Sequence, residues 1–389
     1  MLILRINSCY MIYRFILERI RGKLADDKAI ILLGPRQSGK STLLGQLSPE
    51  FKTPVLWMNG DDADIRSLLS NPNSTSLKAI IGNAATWVID EGQRIENIGL
   101  CIKLAVDNIK GLKVIATGSS AFELANRINE PLTGRKWEFY LYPFSYGEMA
   151  KEHGSMEEKR LLNHRLLYGY YPEIVLHPGE EEERLKALAN SYLYKDILTW
   201  ERIQKPDKME RLVQALAFQT GHEVSYYELG QMAGLDNQTT EKYIALLEKA
   251  FIVFRLGSLS RNLRNELKKS RKIYFYDNGL RNAVINQFNP VNLRKDIGAL
   301  WENLLVSERA KVLEYQGTHY NRYFWRTHSR QEIDYIEERN EVMTGYEFKW
   351  NAKAKVKVPS SFKEGYPGSE VYVINPGNAE GFINPDNIT

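Results

Sequence analysis

Ala29-Ile30-Ile31-Leu32-Leu33-Gly34-Pro35-Arg36-Gln37-Ser38-Gly39-Lys40-Ser41-Thr42 holds three signals in a row. Five apolar residues form a buried strand candidate. The next eight fit G-x-x-x-x-G-K-[ST]. An apolar helix then follows over Thr42–Leu47. That strand–loop–helix context separates a phosphate-binding loop from a Gly-rich turn bearing a surface lysine. Gly34, Pro35, Arg36, Gln37, Ser38, Gly39 and Thr42 would surround the phosphates of ATP, using loop amides and a helix N-terminus. Lys40 would reach the β- and γ-phosphates, and Ser41 would ligate Mg²⁺.

Working outward, short apolar runs recur at Val55–Asn59, Trp87–Asp90, Val114–Thr117 and Glu138–Leu141, each after a polar turn and most with a helical stretch between. This alternation predicts a parallel sheet covered by helices on both faces. The run Thr86-Trp87-Val88-Ile89-Asp90-Glu91 ends in two acids. Asp90 at the strand tip would hold Mg²⁺ through water, and Glu91 would polarise the attacking water. Val114–Thr117 should lie between the P-loop strand and the acidic strand, where Ser119 or Ser120 would sense the γ-phosphate; a plain Gly-Ser turn is the alternative. Arg135 is a candidate arginine finger, in cis or across a subunit interface, with Arg127 competing and a structural ion pair as the bland reading.

The chain has 389 residues, which calls for two or three domains. A net charge of +4 excludes a grossly basic nucleic-acid carrier and leaves room for a local basic face. Cys9 and Cys101 are far apart and form no C-x-x-C motif, so reduced thiols and a cytoplasmic protein are expected. No run of about 18 apolar residues suggests a membrane span. The N-terminal stretch reads as an amphipathic helix over Tyr13–Leu24 packed on the core, with Met11 as a candidate start.

Beyond residue 150 the pattern changes. Residues 151–215 are helical and charged, and the acidic run Glu180–Glu183 reads as a solvated helix start. Residues 216–275 predict a winged helix-turn-helix. Ser225 and Glu228 suggest a capping box, Gly234-Leu235 the turn, Thr239–Lys249 the second helix and Phe251–Leu256 a wing strand. The basic run Arg261, Arg264, Lys268, Lys269, Arg271 and Lys272 would contact phosphates of duplex DNA. A purely structural winged helix is the alternative.

Residues 276–389 read as a mixed α/β module with a helix over Ala299–Leu313. Asp334 lies on one strand candidate, and Glu347 and Lys349 share a face of the next. A hairpin turning near Arg339-Asn340 would bring them together, with Glu302 adding a ligand. Two carboxylates and a lysine so placed would hold Mg²⁺ and activate water for phosphodiester cleavage. A non-cutting version of the same fold, or simple cross-strand charge pairs, are the other readings.

Taken together, Gly34–Ser41, Asp90–Arg94, Thr117–Ser120, Leu132–Arg135, Tyr142–Ser145, Gly169–Glu173, Tyr274–Leu280 and the Glu302/Asp334/Glu347/Lys349 set carry a resemblance. The chain resembles prokaryotic AAA+-type ATPases whose C-terminal half is a domain of unknown function related to the PD-(D/E)XK nucleases. The resemblance implies an α/β chain: a P-loop ATPase sheet over residues 1–150, then a helical and winged-helix middle, then a restriction-endonuclease-like module. It implies ATP hydrolysis with Mg²⁺ and supplies no biological role. The resulting expectation is an ATPase acting on duplex DNA, with an arginine finger in trans calling for a homo-oligomer. The competing expectation is a regulatory ATPase that binds a protein partner and cuts nothing.

Overall fold

The computed structural model describes residues 11–119, 132–191, 205–260, 270–327, 331–354 and 358–384. Two compact units divide the chain. Residues 1–34, 38–144 and 148–156 form the first, and residues 157–389 with the pieces 35–37 and 145–147 form the second.

In the first unit, β1 (Ala29–Leu33) is buried at every position, as a parallel strand covered on both faces must be. With β2 (Val55–Asn59), β3 (Thr86–Asp90), β4 (Lys113–Gly118) and β5 (Lys136–Tyr140) it forms a parallel sheet of order β2-β3-β4-β1-β5. β4 therefore separates the P-loop strand from the acidic strand, as expected. The carboxyl ends of β1, β3 and β4 share one edge, the usual place for a ligand in such a sheet. Helix α1 (Ile16–Arg21) buries Ile16, Leu17 and Ile20 but stops short of Leu24. The Lys23 carbonyl is taken instead by Lys113 Nζ at 2.6 Å, which also donates to the carbonyls of Asp26 and Lys28 at 2.7 and 2.8 Å. Helix α2 (Lys40–Leu47) begins directly from the loop. Helix α3 (Ile98–Asn108) buries Ile98, Cys101, Ile102 and Ala105 along one side.

In the second unit, α4 (Pro206–Phe218), β6 (Glu223–Val224), α5 (Tyr226–Ala233), α6 (Asn237–Lys249), β7 (Val253–Ser258) and β8 (Arg271–Phe275) follow in order. Asp236 caps α6, accepting from the Thr239 amide at 2.9 Å and its hydroxyl at 2.6 Å, so the helix starts two residues before the expected Thr239. Tyr243, Ile244, Leu246 and Leu247 bury its inner face. β7 pairs antiparallel with β8 and parallel with β9 (Asn321–Arg326). The sheet then continues through β10 (Glu332–Arg339), β11 (Val342–Phe348) and β12 (Glu370–Ile374) in the order β12-β11-β10-β9-β7-β8-β6. That continuous ladder joins the two segments expected over residues 216–275 and 276–389, and the compact unit reaches back to residue 157.

Two features hold this unit together. The turn at Tyr168-Gly169 packs on the start of α7 (Asn278–Val284). Asp277 caps that helix, accepting from the Leu280 amide at 3.0 Å and from the Tyr170 amide at 2.7 Å. A Cβ on Gly279 would lie 2.1 Å from the Tyr168 carbonyl oxygen, so only glycine permits this approach. The second feature is α8 (Ile297–Gln316), which is buried around most of its circumference, charged residues included. Arg309 grips Glu337 of β10 through two bonds of 2.7 Å, and Lys311 lies 2.6 Å from Glu308. Buried charges persist only when paired in this way.

Candidate functional site

The nucleotide-facing edge is built from three strand ends. Gly34 follows β1, and a Cβ there would lie 2.1 Å from the Leu141 carbonyl oxygen. Lys40 is buried at the head of α2 and donates to the Gly34 carbonyl at 3.0 Å. Ser41 Oγ donates to Asp90 Oδ2 at 2.7 Å across the strand tips. The other Asp90 oxygen accepts from the Thr117 hydroxyl of β4 and, at 3.1 Å, from the Glu91 amide. Glu91 sits in the left-handed region (φ 50°, ψ 40°), which turns its carboxylate back toward Gln93. Gln93 Nε2 donates to that carboxylate at 2.5 Å, and its Oε1 accepts from the Ser119 amide at 3.2 Å. The Ser119 hydroxyl is fully buried and has no hydrogen-bond partner among the described residues.

Arg14, just ahead of α1, braces the same loop. Its guanidinium donates to the Ser38 carbonyl at 2.9 Å, the Tyr142 carbonyl at 2.6 Å and Glu148 at 3.0 Å, and it lies 4.9 Å from the centre of the Phe144 ring. One planar fork thus ties the P-loop to the chain beyond β5.

A second cluster forms where α8 meets the second sheet. Asn340 and Glu341, with φ of 50° and 67°, make the two-residue turn between β10 and β11. Both values match a hairpin turn whose twist suits the flanking strands. The register pairs Tyr335 with Tyr346 and so sets Asp334 opposite Glu347. The Phe348 amide donates to Asp334 at 2.8 Å, and Lys349 Nζ lies 2.7 Å from Glu347 and 3.5 Å from Asp334. A register shift between Ile333 and Ile336 interrupts the β9–β10 ladder. Both isoleucines, three apart, then pack with Trp325 and Phe362, while Tyr335 packs with Tyr346 and Phe348. A bulge places consecutive side chains in this manner.

Glu302 of α8 joins from the other side, accepting from the Tyr274 hydroxyl at 2.6 Å and from Lys272 Nζ at 2.9 Å. Lys272 also lies 2.6 Å from Glu332 and 4.0 Å from Asp334. Burial pushes the Glu302 carboxyl up to about 7. Burial, with the adjacent Asp334 charge, pushes Glu347 up to about 7 as well. Among the described residues no group of three or more His, Cys, Asp or Glu side chains is arranged to hold a metal ion.

Residues 26–150 match the AAA domain family. The N-terminal unit is a P-loop ATPase domain. Residues 159–291 match a domain of unknown function, DUF8612, and residues 297–387 match another, DUF4143. An uncharacterized protein of Mycobacterium tuberculosis is 27% identical over 350 residues, spanning 88% of this chain and 75% of the relative. An uncharacterized Haemophilus influenzae protein is 24% identical over 282 residues, 66% of this chain and 69% of its own. Among solved structures, the Walker-type ATPase PABY2304 of Pyrococcus abyssi is 15% identical, with 71% of this chain and 96% of that one covered and a TM-score of 0.47.

Within the ATPase domain, Lys40, Ser41, Asp90, Glu91 and Ser119 come to one edge. Arg135 does not. It opens β5 beside Ala29, whose amide donates to the Arg135 carbonyl, and its side chain pairs with Asp107 at 2.6 Å. That is the opposite end of the strands, about 15 Å from the loop at ~3.3 Å per residue, so a finger role in cis is corrected. Arg127 and Ser120 lie outside the described residues, as do Arg261, Arg264, Lys268 and Lys269. In the second unit Glu302, Asp334, Glu347 and Lys349 gather as expected. Lys272, expected on phosphates, is instead 2% exposed among carboxylates. Arg271 is half-buried, 3.7 Å from Glu241 and 4.9 Å from the Tyr226 ring centre.

Sequence reading missed Arg14, Gln93, Thr117, Tyr274 and Glu332. Gln93, Thr117 and Tyr274 carried a signal, each lying within a segment that carries the resemblance, but no role was assigned to them. No helix among the described residues is long and apolar enough to cross a membrane.

Proposed function

We propose that the chain is an ATPase that couples nucleotide turnover to a DNA-facing C-terminal unit. In the ATPase domain, Lys40 and the amides of the loop would hold the β- and γ-phosphates, with Thr42 at the exposed start of α2. Ser41 and Asp90, a hydroxyl and a carboxylate already in contact, fit a phosphate-bound Mg²⁺. Glu91, held by Gln93, would polarise the attacking water, and the Ser119 hydroxyl would meet the γ-phosphate. Arg135 retains a role only in trans, on a neighbouring copy of the chain.

The DNA reading is carried by the β7–β8 ribbon. The order α4-β6-α5-α6-β7-β8 supports the winged-helix reading, and the antiparallel pairing Val253↔Phe275 through Gly257↔Arg271 leaves residues 259–270 to join β7 to β8. That connection carries Arg261, Arg264, Lys268 and Lys269 against the single acid Glu266. Four cations in one short stretch of sequence suit a phosphate backbone and make binding salt-dependent. The polar start of α6, Asn237 and Gln238, is exposed. The Asp334–Glu347–Lys349 hairpin beside Glu302 supports a nuclease-like ancestry for the rest of the unit. Its fit to a metal is poor, because Lys272 stands among the carboxylates.

A specific observation favours the second reading, a protein partner. The groove beside α6, about 730 Å³, is lined by Glu223, Tyr226, Tyr227, Glu228 and Glu241 with Arg271. Its acids would repel phosphates. The deciding experiment measures ATP hydrolysis with and without duplex and single-stranded DNA, alongside gel retardation at two salt concentrations. Stimulated turnover and retardation lost at higher salt support the DNA reading. Turnover indifferent to DNA, with no retardation at low salt, would replace it with the partner reading.

A further inference from the structure

We propose that Lys272 is the resident cation of the Glu302–Glu332–Asp334 cluster, and that the folded C-terminal unit does not take a divalent metal there. The inference rests on reading this cluster as nuclease-like, since only that reading calls for a metal.

The geometry is that of a filled site. Lys272 Nζ lies 2.9 Å from Glu302 Oε1, 2.6 Å from Glu332 Oε1 and 4.0 Å from Asp334 Oδ1. A divalent ion held by these same oxygens would need them at about 2.0–2.6 Å, in the volume that the ammonium occupies. The lysine has little freedom to leave. Its strand is paired on both sides, with Leu256 of β7 and Glu223 of β6 opposite it, and its side chain is 2% exposed. The Phe324 ring lies beneath its Nζ at 5.4 Å.

Other groups also engage these carboxylates. Tyr274 donates to the same Glu302 oxygen as Lys272, and the far Asp334 oxygen receives the Phe348 amide and faces Lys349 at 3.5 Å. The cluster therefore sets its carboxylates against two ammonium groups of its own, Lys272 buried and Lys349 partly exposed. It also ties β8 of the wing ribbon to α8 and β10. A charge network that joins three elements has a structural use that needs no hydrolysis, which accounts for carboxylates kept in nuclease-like positions beside a buried lysine.

The test is Mn²⁺ binding to the nucleotide-free full chain, followed by electron paramagnetic resonance, with Asp334→Asn as the reference for binding at this cluster. Wild type is expected to show no Asp334-dependent Mn²⁺. Lys272→Met, with the cation removed, is expected to gain an Asp334-dependent site at least about tenfold tighter, and a thermal midpoint that rises with Mn²⁺. Asp334-dependent Mn²⁺ in the wild type would overturn the proposal, and this measurement needs only the isosteric Asp334→Asn reference to fold. A folded Lys272→Met chain that gains nothing would overturn it too. Should that variant fail to fold, Lys272→Gln carries the same comparison. Duplex DNA in the same tubes separates the two readings. Asp334-dependent nicking by wild type would overturn the resident-lysine inference and keep the DNA reading. The expected Mn²⁺ pattern without DNA retardation would sink the DNA reading alone.

Discussion

Ser41 Oγ donates to Asp90 Oδ2 at 2.7 Å, although 49 residues separate them in the chain. The contact exists because β4 stands between β1 and β3 and all three strands run the same way, so the P-loop, Asp90 and Ser119 emerge on one edge. Thr117 completes it by donating to the other Asp90 oxygen from β4. The ATPase predictions follow from this edge.

Glu91→Gln should keep ATP binding and lose turnover. Removing a water-polarising carboxylate costs about 10²- to 10⁴-fold in rate, with KM for ATP little changed. Gln93→Ala should give a milder loss, about tenfold, because it releases the Glu91 carboxylate without removing it. Steady-state ATP hydrolysis with a parallel nucleotide-binding titration checks both. Wild-type turnover in Glu91→Gln would remove that residue from the mechanism.

Arg14→Ala should raise KM for ATP and lower stability. It takes the Arg14 guanidinium from the buried Glu148 carboxylate, a change that costs about 3–5 kcal/mol, and removes the bond to the Ser38 carbonyl. Arg14→Lys should rescue poorly, since one ammonium cannot reproduce the fork that spans Ser38, Tyr142 and Glu148. Denaturant unfolding and KM measured on the same preparations test this; full rescue by lysine would show that charge alone suffices.

Gly279→Ala and Gly298→Ala should differ sharply. The first forces a methyl to 2.1 Å from the Tyr168 carbonyl and should destabilise the second unit by about 3 kcal/mol. The second lies on the exposed first turn of α8 with nothing within 4 Å of an added Cβ. It should stabilise by up to about 1 kcal/mol through helix propensity. Thermal midpoints of the two variants give the comparison, and equal shifts would contradict the packing of the Tyr168 turn on α7.

Asp296 provides a pH signature. Burial alone would raise its pKa, but bonds from Arg294 and Arg281 prevail and hold it at about 2. The folded value lies below the unfolded one. Its contribution to stability is therefore complete above the unfolded pKa, near pH 4, and is lost as pH falls through 2. Asp296→Asn should lower stability at neutral pH and flatten the decline between these values. Urea midpoints across that range test the sign; an unchanged slope would show that the arginine contacts do not persist in solution.

Much of this was legible in the residues alone. The strand, loop and helix around Gly34–Ser41 identify themselves, because a phosphate loop is a local object whose parts are contiguous. The acidic strand tip at Asp90-Glu91 is local too, as are the alternating strands and the i, i+2 pairing of Glu347 with Lys349. The place of Val114–Thr117 between the P-loop strand and the acidic strand followed from the P-loop context, and the hairpin turn near Asn340 from the spacing of two strand candidates. Tertiary structure alone decided the rest. Arg135 belongs to the wrong end of its strand, which no motif reveals, because sequence marks a residue's neighbours along the chain and not which edge of a sheet it reaches. Lys272 reads as one more cation in a basic run until β8 folds in beside β7 and α8 closes over it. Arg14 lies far from the loop it braces. In each case the partners meet only after strands from distant segments pair, and the cost of burying charge then determines which of them must face one another.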